Sequence, residues 1–186
     1  DVYGKSVFVC PYCDGWEHRG EPAAIFGNGP SLFHYAQPIR HWNRDLVVFA
    51  NGPAAIADDD RRQLEERGIC IVEAPVLALQ SNAGMLREVL LATGEAVPRS
   101  CGYLMDTGAH TPIALDERLG IPRTPSGGYE AAHNGETRVR GLYIVGDARN
   151  TFTGVAASAA EGYTAAQAVN SELIAEDWYA PATGAV

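Results

Sequence analysis

Two thiols in the run Cys10-Pro11-Tyr12-Cys13-Asp14 have types and spacing that could do chemistry. Two residues separate the sulfurs, close enough for a disulfide within one turn of chain. With Pro11 opening a helical turn, Cys10 falls near its N-terminus, where unpaired N–H groups and the helix dipole favour thiolate. Thiolate is the species that attacks disulfides, so the spacing suits thiol–disulfide exchange. The carboxyl group of Asp14 could relay a proton to or from a departing thiol. Cys10, Cys13 and Asp14 are therefore the candidate catalytic residues. Two other uses of the motif stay open. Half of a zinc site is one, but structural zinc takes about four ligands. Cys70 and Cys101 lie far apart, and no His-x-x-x-His accompanies them. No metal site is expected. A purely structural disulfide is the other. The βαβ pattern that follows the pair almost at once weighs toward redox chemistry.

The chain around this motif has 186 residues, of which 46% are hydrophobic. That is enough for one large domain or two small ones, with material for a sizeable core. The net charge of −9 argues against a nucleic-acid or anionic-membrane partner. Four cysteines in a chain this long do not make a secreted disulfide framework. No apolar run approaches a membrane span, and no basic segment followed by an apolar one opens the chain. A cytoplasmic setting is the expectation.

The elements that must position the thiols can be read in order. Ser6 to Val9 is an apolar run, expected to be a short strand delivering Cys10. Pro22 to Phe26 is a buried-strand candidate that ends in Gly27-Asn28-Gly29-Pro30-Ser31-Leu32. A Gly-x-Gly turn from strand to helix is the dinucleotide-binding signature: the glycines permit a tight turn and close approach of a pyrophosphate, and the helix N-terminus attracts its charge. The match is partial, because the third small residue would fall at Leu32. Pro30 is acceptable at a first helical position. The helix should run toward Trp42, with Pro38 kinking it or ending it early. Leu46 to Ala50 reads as the next parallel strand. Its end, where a 2′-phosphate would call for arginines, gives Asn51-Gly52-Pro53 and then Asp58-Asp59-Asp60. Arg61 and Arg62 belong to the following helix, Asp58 to Arg67, which closes at Gly68.

Ile69 to Glu73 is a third strand, with Cys70 expected to pack as a small apolar residue. Leu77–Gln80, Leu86–Leu91 and Glu95–Val97 have the pattern of an antiparallel meander. Ser100 to Met105 is a further strand, with Cys101 expected in the core. A domain boundary is expected near Asp106 to Pro112. Beyond it, Val139 to Val145 reads as a strand ending in Gly146-Asp147. From Val155 the chain is rich in alanine and reads as a long helix packed closely on a sheet or a ligand, Gly162 included. The tail after Trp178 is expected to be loose.

Together these residues resemble the low-molecular-weight thioredoxin reductases and their relatives, FAD-dependent pyridine nucleotide-disulfide oxidoreductases. Three landmarks occur in the family's order across roughly Ser6 to Leu173: the redox motif at Cys10 to Asp14, the nucleotide turn at Gly27 to Leu32, and a second flavin motif at Gly141 to Asp147. The wording Cys-Pro-Tyr-Cys-Asp-Gly-Trp-Glu leans toward a branch that includes dithiol oxidases of disulfide-containing natural products. The resemblance implies that Cys13 faces a flavin, that Cys10 attacks the external disulfide and that Asp14 is the acid/base. It implies Gly27, Gly29, Pro30 and Ser31 as nucleotide-binding residues. Gly146 and Asp147 would bind the ribityl or pyrophosphate part of FAD, and the backbone near Val155 and Ala156 would line its ring.

The chain departs from the family at three points. A complete member opens with a Gly-x-Gly-x-x-Gly segment for the ADP half of FAD. Nothing before Cys10 supplies one, so the chain is expected to lack the front half of its flavin domain. The arginines for the 2′-phosphate of NADPH are not at the end of the second strand. Gly154 and Val155 stand where an Arg-Gln pair is common. The expected fold is α/β. A Rossmann-like three-layer NAD(P)-binding domain would cover residues 1–106, and the C-terminal part of an FAD-binding domain residues 107–186. The expected function passes electrons between NADPH or NADH, FAD and the Cys10–Cys13 pair, and on to a thioredoxin-like protein or a small-molecule disulfide, in a homodimer. Two alternatives accompany it. One is an oxygen-using dithiol oxidase that needs no NADPH. The other is a non-catalytic nucleotide-binding module.

Overall fold

The computed structural model describes residues 1–106, 114–150 and 153–180. The chain divides into two compact units, Asp1–Ala109 and His110–Val186. The expected boundary near Asp106 to Pro112 falls largely on residues 107–113, outside the described residues.

The first unit runs β1 (Val7–Phe8), α1 (Pro11–Asp14), β2 (Ala23–Phe26), α2 (Leu32–Trp42), β3 (Leu46–Phe49), α3 (Asp58–Glu66) and β4 (Cys70–Val72). It continues with β5 (Val76–Asn82), β6 (Met85–Leu91), β7 (Ala96–Pro98) and β8 (Cys101–Leu104). Five strands form a sheet in the order β1-β8-β2-β3-β4, and every pairing in it is parallel. The fold is α/β, as the sequence pattern indicated.

Strands β2 and β3 are apolar throughout because a parallel sheet is covered on both faces. Alternate residues take opposite sides. Ala23, Ile25, Leu46 and Val48 pack with Leu32, Ala36 and Ile39 of α2 and Leu64 of α3. Ala24, Val47 and Phe49 pack with Val89 and Leu91 of β6. Helices, parallel sheet and the antiparallel β5-β6-β7 meander thus make three layers. Each fully buried Leu or Ile contributes about 1.5–3 kcal/mol, and this core lies directly behind the thiol-bearing segment. The meander is tied to β1 through Ser6. Its buried hydroxyl donates to Gly84 O at 2.8 Å and accepts from Leu86 N at 2.9 Å.

Two expectations fail here, for Cys70 and for residues 139–145. Helix α2 reaches Trp42, as its pattern suggested, without ending early at Pro38, because Leu32, Ala36 and Ile39 are fully buried and Asn43 N bonds Ile39 O at 2.8 Å beyond the proline. Its N-cap is Ser31, so Pro30 lies before the helix rather than at its first position. Cys70 is exposed, since β4 is an edge strand. Residues 139–145 form no strand; an isolated bridge of Tyr143 to Glu136 is what remains, because among the described residues no neighbouring strand extends the ladder.

The second unit holds α4 (Leu115–Leu119), α5 (Val155–Tyr179) and a small core of Ile121, Tyr129 and Ile144, against which Leu115 of α4 packs. Along the 25 residues of α5 only Ala165 is buried. A side chain at Gly162 would meet nothing within 4 Å. The helix ends at Tyr179, and the tail expected to be loose lies mostly in residues 181–186, outside the described residues.

Candidate active site

Strand β1 ends at Phe8 and delivers Cys10 in an extended conformation (φ −119°, ψ 110°) as the N-cap of α1. Pro11 takes the first helical position, where its missing N–H costs nothing. One turn closes over the motif: Cys13 N bonds Cys10 O at 3.1 Å and Gly15 N bonds Pro11 O at 2.8 Å. A Cβ at Gly15 would collide with the Pro11 carbonyl and the Trp42 ring, so the residue after Asp14 must be glycine for α1 to lie against α2.

Tyr35, on α2, fixes the entry to this turn. Its hydroxyl lies 2.9 Å from Val9 O and 2.9 Å from Leu104 O, bridging the ends of β1 and β8. Burial, with a smaller effect from Cys10, pushes the Tyr35 phenol above its ordinary range. The sequence reading missed Tyr35, since nothing local marks a helical tyrosine as a brace for a strand.

All four cysteines are free thiols. The neighbouring Cys10 thiol, followed by partial desolvation and the charge of Asp14, pushes Cys13 up to about 11. Cys13 therefore keeps its proton at neutral pH. Cys10 and Asp14 are half-buried, while Cys13 faces solvent. Exposed aromatic rings flank the pair. Tyr12 meets Trp42 edge-on at 5.8 Å, and Trp16 lies under the Arg19 guanidinium, 4.1 Å from its ring centre.

The glycine turn sits at the C-terminal end of β2, where open parallel sheets bind ligands. Gly29 has φ +98°, and a Cβ there would meet nothing within 4 Å. Gly27 is small for another reason, because a Cβ would run into Met105. Pro30 and Ser31 are exposed. Asn28, which the sequence reading passed over, organises the turn. Its side-chain oxygen accepts from Gly29 N and Ala55 N, both at 2.7 Å. Its amide donates to Ala50 O at 3.1 Å and Pro53 O at 3.0 Å.

An adenosine 2′-phosphate finds little at the end of β3. Asn51 is engaged with Val76 N at 2.9 Å. Arg61 is paired with Glu73 at 2.5 Å and Arg62 with Asp59 at 2.8 Å. The open Gly29 turn fits a dinucleotide pyrophosphate, whereas the cations a 2′-phosphate needs are already occupied.

In the second unit, Gly146 (φ +65°) opens a 3₁₀ turn, Gly146–Ala148. Glu161 of α5 holds that turn: it accepts from Gly146 N at 2.7 Å, Arg149 Nη1 at 3.0 Å and Asn150 Nδ2 at 2.7 Å. The bond from Gly146 N is the main reason its carboxyl sits below the usual range. Asp147 is exposed and accepts from Thr153 N at 2.9 Å. Val155 and Ala156 are exposed in the first turn of α5. An acidic side chain beside open helix N–H groups fits the polar part of a flavin nucleotide. Glu161 was missed because an i+15 contact leaves no trace in local pattern.

No protein-family model matches the chain. A curated protein of Arthroderma benhamiae, assigned as a thioredoxin reductase, is 26% identical over 174 residues, covering 80% of this chain and 43% of that protein. Among solved structures, TrxB of Bacillus anthracis, also assigned as a thioredoxin reductase, superposes with TM-score 0.85 at 28% identity. The match covers 95% of this chain and 59% of that one. HlmI superposes with TM-score 0.84 at 33% identity, over 94% of this chain and 54% of its own. The chain spans about half the length of the relatives it matches. In sequence and in fold, over nearly its whole length, this chain is similar to thioredoxin reductases.

Proposed function

We propose that the chain carries the thiol–disulfide centre of a flavin-dependent oxidoreductase resembling thioredoxin reductase. The observation that carries this reading is the placement of Cys10 as the N-cap of α1 just past a parallel strand, with Cys13 and Asp14 in the same helical turn. Cys10 is the attacking sulfur. It forms a mixed disulfide with one substrate sulfur while the other leaves as a thiolate. Cys13 then gives up its proton, attacks Cys10 and releases the second substrate sulfur, so two electrons pass to the substrate and the pair becomes a disulfide. Asp14 receives or supplies the proton. The substrate is a thioredoxin-like protein or a small-molecule disulfide. A bound flavin would supply the two electrons that restore the dithiol. Residues 1–106 would serve as the NAD(P)-binding-like domain and residues 107–186 as part of the FAD-binding domain, with Gly27, Gly29, Pro30 and Ser31 on the dinucleotide and Gly146, Asp147, Val155 and Ala156 on the flavin.

A second reading runs the electrons backward: a substrate dithiol is oxidised, and oxygen is the final acceptor. The engagement of Arg61 and Arg62 by carboxylates favours it, because it needs no NADPH. Anaerobic titration of the intact flavin-loaded protein with NADPH and NADH separates the two. Rapid bleaching of the flavin supports the reductase. Absence of bleaching, with oxygen consumed when a dithiol is added, supports the oxidase. Turnover that survives Cys10→Ser and Cys13→Ser would defeat both.

A further inference from the structure

The buried thiol of Cys101 has no part in the exchange chemistry above, yet it does not lie among apolar groups alone. At the N-terminal end of β8, the Cys101 sulfur, a carboxylate oxygen of Glu21 and a ring nitrogen of His18 lie within 4.8 Å of one another. His18 Nδ1 is 3.2 Å from Glu21 Oε1. Cys101 itself is fully buried.

The turn that carries His18 and Glu21 is held rigidly. The amide of the fully buried Asn43 donates to His18 O at 2.7 Å and Glu21 O at 3.0 Å. Gly20 N bonds Trp42 O at 3.0 Å, and the Phe8 ring lies 4.9 Å from the imidazole. Two anchored backbones, the turn and a central strand, thus present one nitrogen, one oxygen and one sulfur donor to a common point.

We propose that His18, Glu21 and Cys101 form a mononuclear Zn²⁺ site that shares no residue with the Cys10–Cys13 pair, with water as the fourth ligand. The donor set suits a borderline-soft divalent ion, which takes imidazole, carboxylate and thiolate together. Zinc–ligand bonds of about 2.0–2.3 Å place tetrahedral ligands roughly 3.3–3.8 Å apart. The widest pair must therefore close by at most about 1 Å. Zinc takes cysteine as the thiolate, so binding releases the Cys101 thiol proton. The opposing charge is Arg99, whose Nη1 is tied to Asp45 at 2.5 Å.

The test uses the full chain with Cys10, Cys13 and Cys70 replaced by serine, which leaves Cys101 as its one thiol. Co²⁺ is titrated as the spectroscopic probe. One Co²⁺ per chain with a thiolate charge-transfer band, displaced by Zn²⁺, is the expected result. His18→Asn and Glu21→Gln should each weaken binding about tenfold or more, with the far-ultraviolet circular dichroism unchanged. A missing band in the serine-substituted chain overturns the assignment, and so does equal affinity in the folded His18→Asn and Glu21→Gln variants. These readouts involve no flavin and no turnover.

Discussion

Cys13, beside the Cys10 thiol, is the sulfur held protonated at neutral pH. With Cys13 held at about 11, limiting iodoacetamide at pH 8 should label Cys10 ahead of Cys13, although Cys13 is the more exposed of the two. Peptide mapping reads the ratio, and preferential labelling of Cys13 would reverse the assigned order of attack. Gly15→Ala places a methyl group against the Pro11 carbonyl and the Trp42 ring. Overpacking of this kind costs about 1–3 kcal/mol, measurable by urea unfolding. Burial pushes the Cys101 thiol up from an ordinary value of 9.0 to about 12. In the metal-free protein its contribution is therefore intact below pH 9.0 and is lost as pH rises toward 12. Cys101→Ala should flatten the alkaline decline in stability, as followed by unfolding at several pH values.

Among elements, the turn between β2 and α2 depends on one side chain. Asn28 satisfies two N–H groups and two carbonyls. Asn28→Ala leaves them to partial solvent and should cost about 1–3 kcal/mol. It should also weaken dinucleotide binding more than thiol reactivity, a split that equilibrium binding and thiol labelling measure separately. In the second unit, Glu161 is lowered by its bond to Gly146 N and by Arg149 and Asn150. Its contribution is present above the unfolded carboxyl pKa and disappears as pH falls through the folded one. Glu161→Gln should therefore lessen the acid sensitivity of the 146–150 turn, as monitored by hydrogen exchange at those amides.

For the molecule as a whole, the contrast lies between a sheet covered on both faces and a long helix that buries only Ala165. Amides of β2, β3 and β8 should exchange far more slowly than those of α5, because protection follows buried contacts. No helix among the described residues is long and apolar enough to cross a membrane.

Much of this was legible in the residues. Unbroken apolar runs at Ala23–Phe26 and Leu46–Phe49 marked candidates for buried strands, and the Cys10-to-Asp14 spacing marked the thiol pair. Those signals are local: side-chain period, turn glycines, two sulfurs one turn apart. Tertiary structure alone decided the remainder. It showed that α2 continues through Pro38, that Cys70 lies on an edge, and that residues 139–145 find no partner strand. It also brought Tyr35, Asn28 and Glu161 to bind groups far along the chain, and His18, Glu21 and Cys101 to one point. The physical reason is common to all of these. A hydrogen bond or ligand set between distant residues is fixed by where packing places two backbones, and no local propensity encodes that distance.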